Sequence, residues 1–256
     1  MNSRIATIAR YTLLEALRTR LPVLVLITVS VLLMASFFVE SIAVTEGDRF
    51  QTGFYAAGMR LAGVFIAGLY VLVSVTREFN DKGLDMLLAL DLPRGHYILG
   101  KLAGFLAIAG LIAAAACLPL AWFAAPQAVL QWAATLAFEL AIVVALALFC
   151  VVTFSQLVPA ASFVLAFYLL ARSLTAIRLM SANPITGADT LSHQVINFVV
   201  ETLALVMPAL DAWTQTAWLV NQQAAWSTIV HLSWQSTLYV VLLTAAAMFD
   251  FYRKNF

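Results

Sequence analysis

The strongest constraint on this chain is a series of six apolar runs, each long enough to cross a bilayer: residues 21–40, 57–76, 98–122, 129–154, 158–179 and 228–250. A helix needs about 20 mostly apolar residues to span the hydrocarbon core, where every backbone polar group must be satisfied within the protein. None of the runs alternates as a transmembrane β-strand does. The fold class implied is an all-α polytopic membrane protein forming a single transmembrane domain over residues 1–256. Composition points the same way. Hydrophobic residues make up 63% of the chain and charged residues 11%, against about 25% charged in a soluble domain. A net charge of +1 gives no basis for nucleic acid as a partner. The first 20 residues carry five charges and no uninterrupted apolar core, unlike a cleavable signal peptide.

Lys and Arg set the orientation, since cytoplasmic loops carry the excess of positive charge. Six spans put both termini on one side. That side holds Arg4, Arg10, Arg18, Arg20, Arg77, Lys82, Arg94, Lys101, Arg253 and Lys254, ten of the fourteen positive residues. The expectation is that both termini and the 77–101 connection lie in the cytoplasm. Arg49, Arg60, Arg172 and Arg178 fall in the other half.

Residues 3–20 precede the first span. Ile5, Ile8, Ala9, Thr12, Leu13 and Ala16 share one helical face, with Arg4, Tyr11, Glu15 and Arg18 opposite. This pattern predicts an amphipathic elbow helix lying in the interface plane, with an ordinary charged tail as the alternative. Pro22 suits the first turn of the span that follows. Residues 123–128 and 155–158 are tight turns. The long external segment 180–227 has helical apolar spacing over 191–206 and breakers at Pro184, Gly187 and Pro208. Trp213, Trp218, Trp226 and Trp234 suggest that it lies on, or dips into, the outer leaflet.

The polar island 77–101, REFNDKGLDMLLALDLPRGHYILGK, interrupts the grease with eight charged residues. Glu78, Asp81 and Asp85 recur on one helical stripe. Gly83 breaks that helix, and Leu84, Leu87, Leu88 and Leu90 then belong to a short helix stopped by Pro93. Apolar side chains between charged flanks need cover, from a protein partner or from the membrane surface.

The run Arg77-Glu78, Lys82-Gly83-Leu84, Leu87-Leu88, Leu92-Pro93-Arg94 and Tyr97-Ile98-Leu99-Gly100-Lys101 resembles the cytoplasmic coupling segment of ABC-2 type transporter permeases. The closing Phe249–Phe256, FDFYRKNF, is similar to the aromatic and basic tail of that family. Asp85 and the Pro-Arg-Gly after Leu92 depart from the usual pattern. The resemblance implies a permease subunit of an ATP-driven exporter in the bacterial cytoplasmic (inner) membrane that takes ATP and Mg through a separate ATPase, two copies of which pair with two permease copies. It implies a coupling helix between the second and third spans, with Glu78, Gly83, Leu84, Leu87, Leu88 and Arg94 as ATPase contacts. This chain has no GxxxxGK[ST] phosphate loop, and no nucleophile stands beside a base at readable spacing, so catalysis within it is not expected.

Inside the spans, Glu139 and Arg172 are each about 16 residues from the turn near 155–156, so both rise roughly 25 Å and reach similar depth. They read as an ion pair locking spans 4 and 5, as part of a substrate path, or as groups exposed at the interface. Gly100-x-x-x-Gly104, with Ala103 and Ala107, reads as a packing face. Cys117 and Cys150 read as small hydrophobes, and the three histidines lack ligand spacing for a metal. The cargo expected is amphiphilic or hydrophobic. The alternatives are a small polar cargo for periplasmic protein maturation, and a non-transporting scaffold relaying a signal from the ATPase.

Overall fold

The computed structural model describes residues 2–81, 94–182, 191–220 and 225–253, with side chains at all of these except 2, 3, 182 and 191–194. Every regular element among them is helical. The amphipathic N-terminal segment is α1, Asn2–Arg18, and the six expected spans are long helices. They are α2 (Leu21–Ile42), α3 (Gly47–Asn80), α4 (Arg94–Phe123), α5 (Pro126–Phe154), α6 (Leu157–Ala182) and α9 (Trp226–Arg253). Between α6 and α9 lie α7 (Leu191–Val206), a 3-10 turn (Leu210–Ala212) and the single-turn helix α8 (Ala217–Val220). Met207 and Pro208 end α7 where the sequence has its breaker.

Length decides much of the layout. At 34 residues, α3 extends for about 50 Å, well beyond a hydrocarbon core of about 30 Å. It begins ten residues before the apolar run that announced it, so Arg60 lies more than three turns inside the helix. α5 is the most buried span and packs against α3, α4, α6 and α9. Its apolar residues surround the axis instead of forming one stripe, as burial on all sides requires. α2 is peripheral, packing on α3, and most of its surface is exposed.

α1 and the C-terminal end of α9 lie at one end of the bundle, here called basal. Arg77 near the end of α3 bonds Glu15 of α1 at 3.0 Å, and Tyr97 of α4 stacks on Phe251 of α9 with ring centroids 5.7 Å apart. At the opposite end Phe37 of α2 meets Phe123 of α4 edge to face. The spans therefore alternate in direction.

α1 packs on the start of α4 with the face its periodicity selects: Thr12 and Ala16 are buried, while Tyr11, Leu17 and Arg18 are exposed. The receiving surface is Gly100 and Gly104. A Cβ at Gly100 would stand 2.7 Å from Cβ of Ile8, and one at Gly104 would stand 2.6 Å from Cβ of Thr12. Ala103 and Ala107 are exposed and take no part in this contact. The small-residue face is a seat for α1, not a contact between two spans.

Gly104→Ala is expected to lower stability by about 1–3 kcal/mol through overpacking, read as a reduced Tm in thermal unfolding of the detergent-solubilised protein. Gly110→Ala is the control, because its added methyl meets nothing within 4 Å beyond its own helix backbone and chain neighbours. It should leave Tm unchanged or raise it.

Candidate functional site

Two polar clusters stand out in the bundle, one deep and one basal. The deep cluster begins with Arg60 of α3 and Glu139 of α5, whose side chains are 5% and 0% exposed. Arg60 Nε donates to Glu139 Oε2 at 2.8 Å and to Oε1 at 3.1 Å. Its Nη1 donates to the Thr214 carbonyl at 3.0 Å, and Nη2 to the Leu210 carbonyl at 2.9 Å. The carboxylate is closed from its other sides. The Tyr168 hydroxyl donates to Oε1 at 3.0 Å and the Thr214 hydroxyl to Oε2 at 2.7 Å. Arg172 Nη1 donates to the same Leu210 carbonyl at 3.0 Å.

This geometry corrects the expected pairing. Glu139 and Arg172 do share one cluster, as equal depth predicted. The ion-pair partner of Glu139, however, is Arg60, and Arg172 joins through a backbone carbonyl. The physical reason lies in how the guanidinium groups are used. Arg60 presents all three nitrogens between the carboxylate and two carbonyls. Such completeness is what a buried ion pair needs, since desolvating two charges costs more than a bare pair returns. Arg60 sits inside the run 57–76, and its position among small and apolar neighbours was the signal available in the sequence.

The cluster also explains the path of residues 207–220. Leu210, Trp213 and Thr214 are fully buried. Thr214 adopts φ 49, which turns its carbonyl and hydroxyl toward the two charges on α3 and α5. The segment dips into the bundle, and Trp213 belongs to the core there instead of to a headgroup belt. Trp226 and Trp234 are exposed. Below the cluster a cavity of ≈ 210 Å³ lies among α3, α5 and α6, lined by Val64, Leu72, Val143 and Leu165 with Tyr168 at its polar margin.

The basal cluster frames the island. Glu78 pairs with Lys101 and accepts from the Tyr97 hydroxyl at 2.6 Å. Arg94 Nη1 donates to the Phe251 and Tyr252 carbonyls at 3.4 Å each. The Gly95 amide donates to the Tyr252 hydroxyl at 3.2 Å. Residues 78 and 94 are thus fastened to α4 and α9 on either side of the connection. Gly83, Leu84, Leu87 and Leu88 lie outside the described residues. Among the described residues no group of three or more His, Cys, Asp or Glu is placed to hold a metal ion.

The fold and its six apolar helices define a multi-pass helical membrane protein. No protein-family profile matches the chain, and no curated protein sequence does.

Arg60→Met should cost about 3–5 kcal/mol by leaving Glu139 buried and uncompensated, and Arg60→Met with Glu139→Leu should recover part of that loss. Arg172→Met removes one charged hydrogen bond from a carbonyl that keeps Arg60, for about 1–2 kcal/mol. Thermal unfolding of the three variants checks the ranking; equal losses for Arg60→Met and Arg172→Met would contradict the assigned pairing.

Proposed function

We propose that this chain is the membrane-spanning subunit of an ABC-2 type exporter, driven by a separate soluble ATPase and assembled with a second copy of itself. One observation carries the reading: the two sequence elements of the resemblance converge at the basal end together with the amphipathic α1. The flanks of the 77–101 island, the aromatic tail and α1 are joined there through Glu15–Arg77, Glu78–Lys101, Glu78–Tyr97 and Arg94–Phe251. In this reading the basal end faces the cytoplasm, where ten positive charges gather. Residues 84–91 form the coupling helix seated in an ATPase groove, with Leu84, Leu87 and Leu88 as contacts and Gly83 as the break that shapes them. Glu78 and Arg94 are engaged within the chain and act as positioning residues that hold the segment's two ends.

The mechanical consequence follows from α3. A push on the 82–93 connection reaches Glu78, and α3 runs unbroken from there to Arg60 over 18 residues, about 27 Å. Arg60 grips the 207–220 segment, so ATPase closure would be felt near the far end of the bundle. α4 and α9, joined to the same base through Tyr97, Lys101 and Arg94, move with it. The apolar lining of the cavity among α3, α5 and α6 supports an amphiphilic or hydrophobic cargo.

The test is co-purification from native membranes in mild detergent. An ATPase subunit carrying a phosphate loop should be retained by the wild-type chain and lost from Leu87→Asp with Leu88→Asp, with membrane insertion intact. A chain that never retains an ATPase would refute the proposal. Retention by the double variant would refute the contact assignment. Stimulation of ATP turnover by amphiphilic compounds then separates an exporter from a scaffold.

A further inference from the structure

We propose that the groove enclosed by α1, α2 and α3 at the basal end binds a membrane phospholipid with an anionic headgroup. Its phosphate would lie at Arg20 and Arg77, and an acyl chain would run along α2 and α3. The proposal requires only that the bundle sit in a bilayer, and it stands apart from the exporter reading. The groove holds ≈ 390 Å³, within the roughly 300–1,000 Å³ typical of small-molecule sites. Its chemistry is divided along its length. Leu21, Leu24, Phe65, Ile66, Leu69 and Val73 make the apolar wall, and Glu15, Thr19, Arg20 and Arg77 gather at one end.

That division matches the bilayer. α2 is apolar from Leu21 onward, and Arg77 lies in the last turn of α3. The charged end therefore sits at the boundary of the apolar spans, and the wall continues beside the hydrocarbon. Phe65 and Leu69 are partly exposed, so the groove opens sideways to lipid. Charge selects the headgroup. Glu15 is engaged with Arg77, whereas Arg20 forms no ion pair among the described residues. Two guanidinium groups against one carboxylate leave a net positive mouth. The N-terminus of α2 starts at the same place and adds the positive end of its dipole.

The groove also carries polar groups of its own beside the mouth. Ser74 lines it at 6% exposure, and the buried Tyr70 hydroxyl lies beside Ser74 and Thr19. These hydroxyls can donate to ester or phosphate oxygens of a lipid. A bare anion would leave the apolar wall unfilled, and a zwitterionic lipid would bring its own cation to a mouth that already carries excess positive charge.

The full chain, stripped of lipid in neutral detergent, is titrated with phosphatidylglycerol or phosphatidylcholine of identical acyl chains and read by native mass spectrometry. Phosphatidylglycerol should bind roughly tenfold more tightly. Arg20→Gln should remove most of that preference, while Arg18→Gln, outside the groove, should keep it. Leu24→Trp, which fills the groove, should weaken retention of both lipids, and glycerol phosphate without chains should not compete. Equal affinity for the two lipids would overturn the proposal, and this comparison needs no variant to fold. So would a preference surviving Arg20→Gln, retention unchanged by Leu24→Trp, or competition by glycerol phosphate, which would mark a free-anion site.

Discussion

The ion pair between Arg60 and Glu139 is the constraint around which the opposite end of this bundle is organised. Two charges withdrawn from water are tolerated only when their remaining hydrogen-bonding capacity is met. Here α3 and α5 supply the charges but not enough partners. The missing acceptors are the Leu210 and Thr214 carbonyls, and the missing donors are the Thr214 and Tyr168 hydroxyls. Residues 207–220 are drawn into the bundle for that reason. Their own polar backbone would be costly at such a depth without the guanidinium groups of Arg60 and Arg172. The charges and the dipping segment make each other tolerable.

The same helix that carries Arg60 also carries Glu78 at the basal end. Between the two, α3 presents Gly63, Val64, Ala67, Gly68, Val71 and Leu72 to the interior, a small and apolar face that lets α5 approach closely. A helix fixed by ion pairs at two levels, with close packing between them, is a stiff element. Its basal fastening is shared with α4 through Lys101 and Tyr97 and, by way of Tyr97 and Arg94, with α9. In the proposed exporter this arrangement gives the coupling segment a firm mount and gives α3 the role of lever. The leverage is a consequence of geometry, whatever cargo is moved.

The spans were legible because length and hydropathy are scalar properties that need no knowledge of neighbours. The inward face of α1 was legible for a related reason, since Ile8, Thr12 and Ala16 follow the helical period. Rotation about a helix axis is a different matter. Counting from the turn near 155–156 placed Glu139 and Arg172 at similar depth, and the structure brings both to one cluster. Nothing in the count says which face of α6 meets α5, or that Arg60 on α3 stands nearer. Leu210 was invisible as a ligand for a simpler reason, because a backbone carbonyl has no sequence signature. Trp213 misled in the opposite direction: its residue type favours an interface, but the turn that delivers the Leu210 and Thr214 carbonyls carries it into the core. At the base, Glu78 and Arg94 were recognised as important, and their partners Lys101, Tyr97 and Tyr252 lay within the same two sequence stretches.

Hydrogen–deuterium exchange across residues 207–220 tests most directly whether buried charge holds this segment in the bundle. The amides of Ala212 and Trp213 bond within the turn, to Ala209 and Leu210 carbonyls. In the wild-type protein in lipid nanodiscs they should be protected on the timescale of the α5 amides, and Arg60→Met should release them while α5 stays protected. Rapid exchange in the wild-type protein, or protection unchanged by Arg60→Met, would contradict the account.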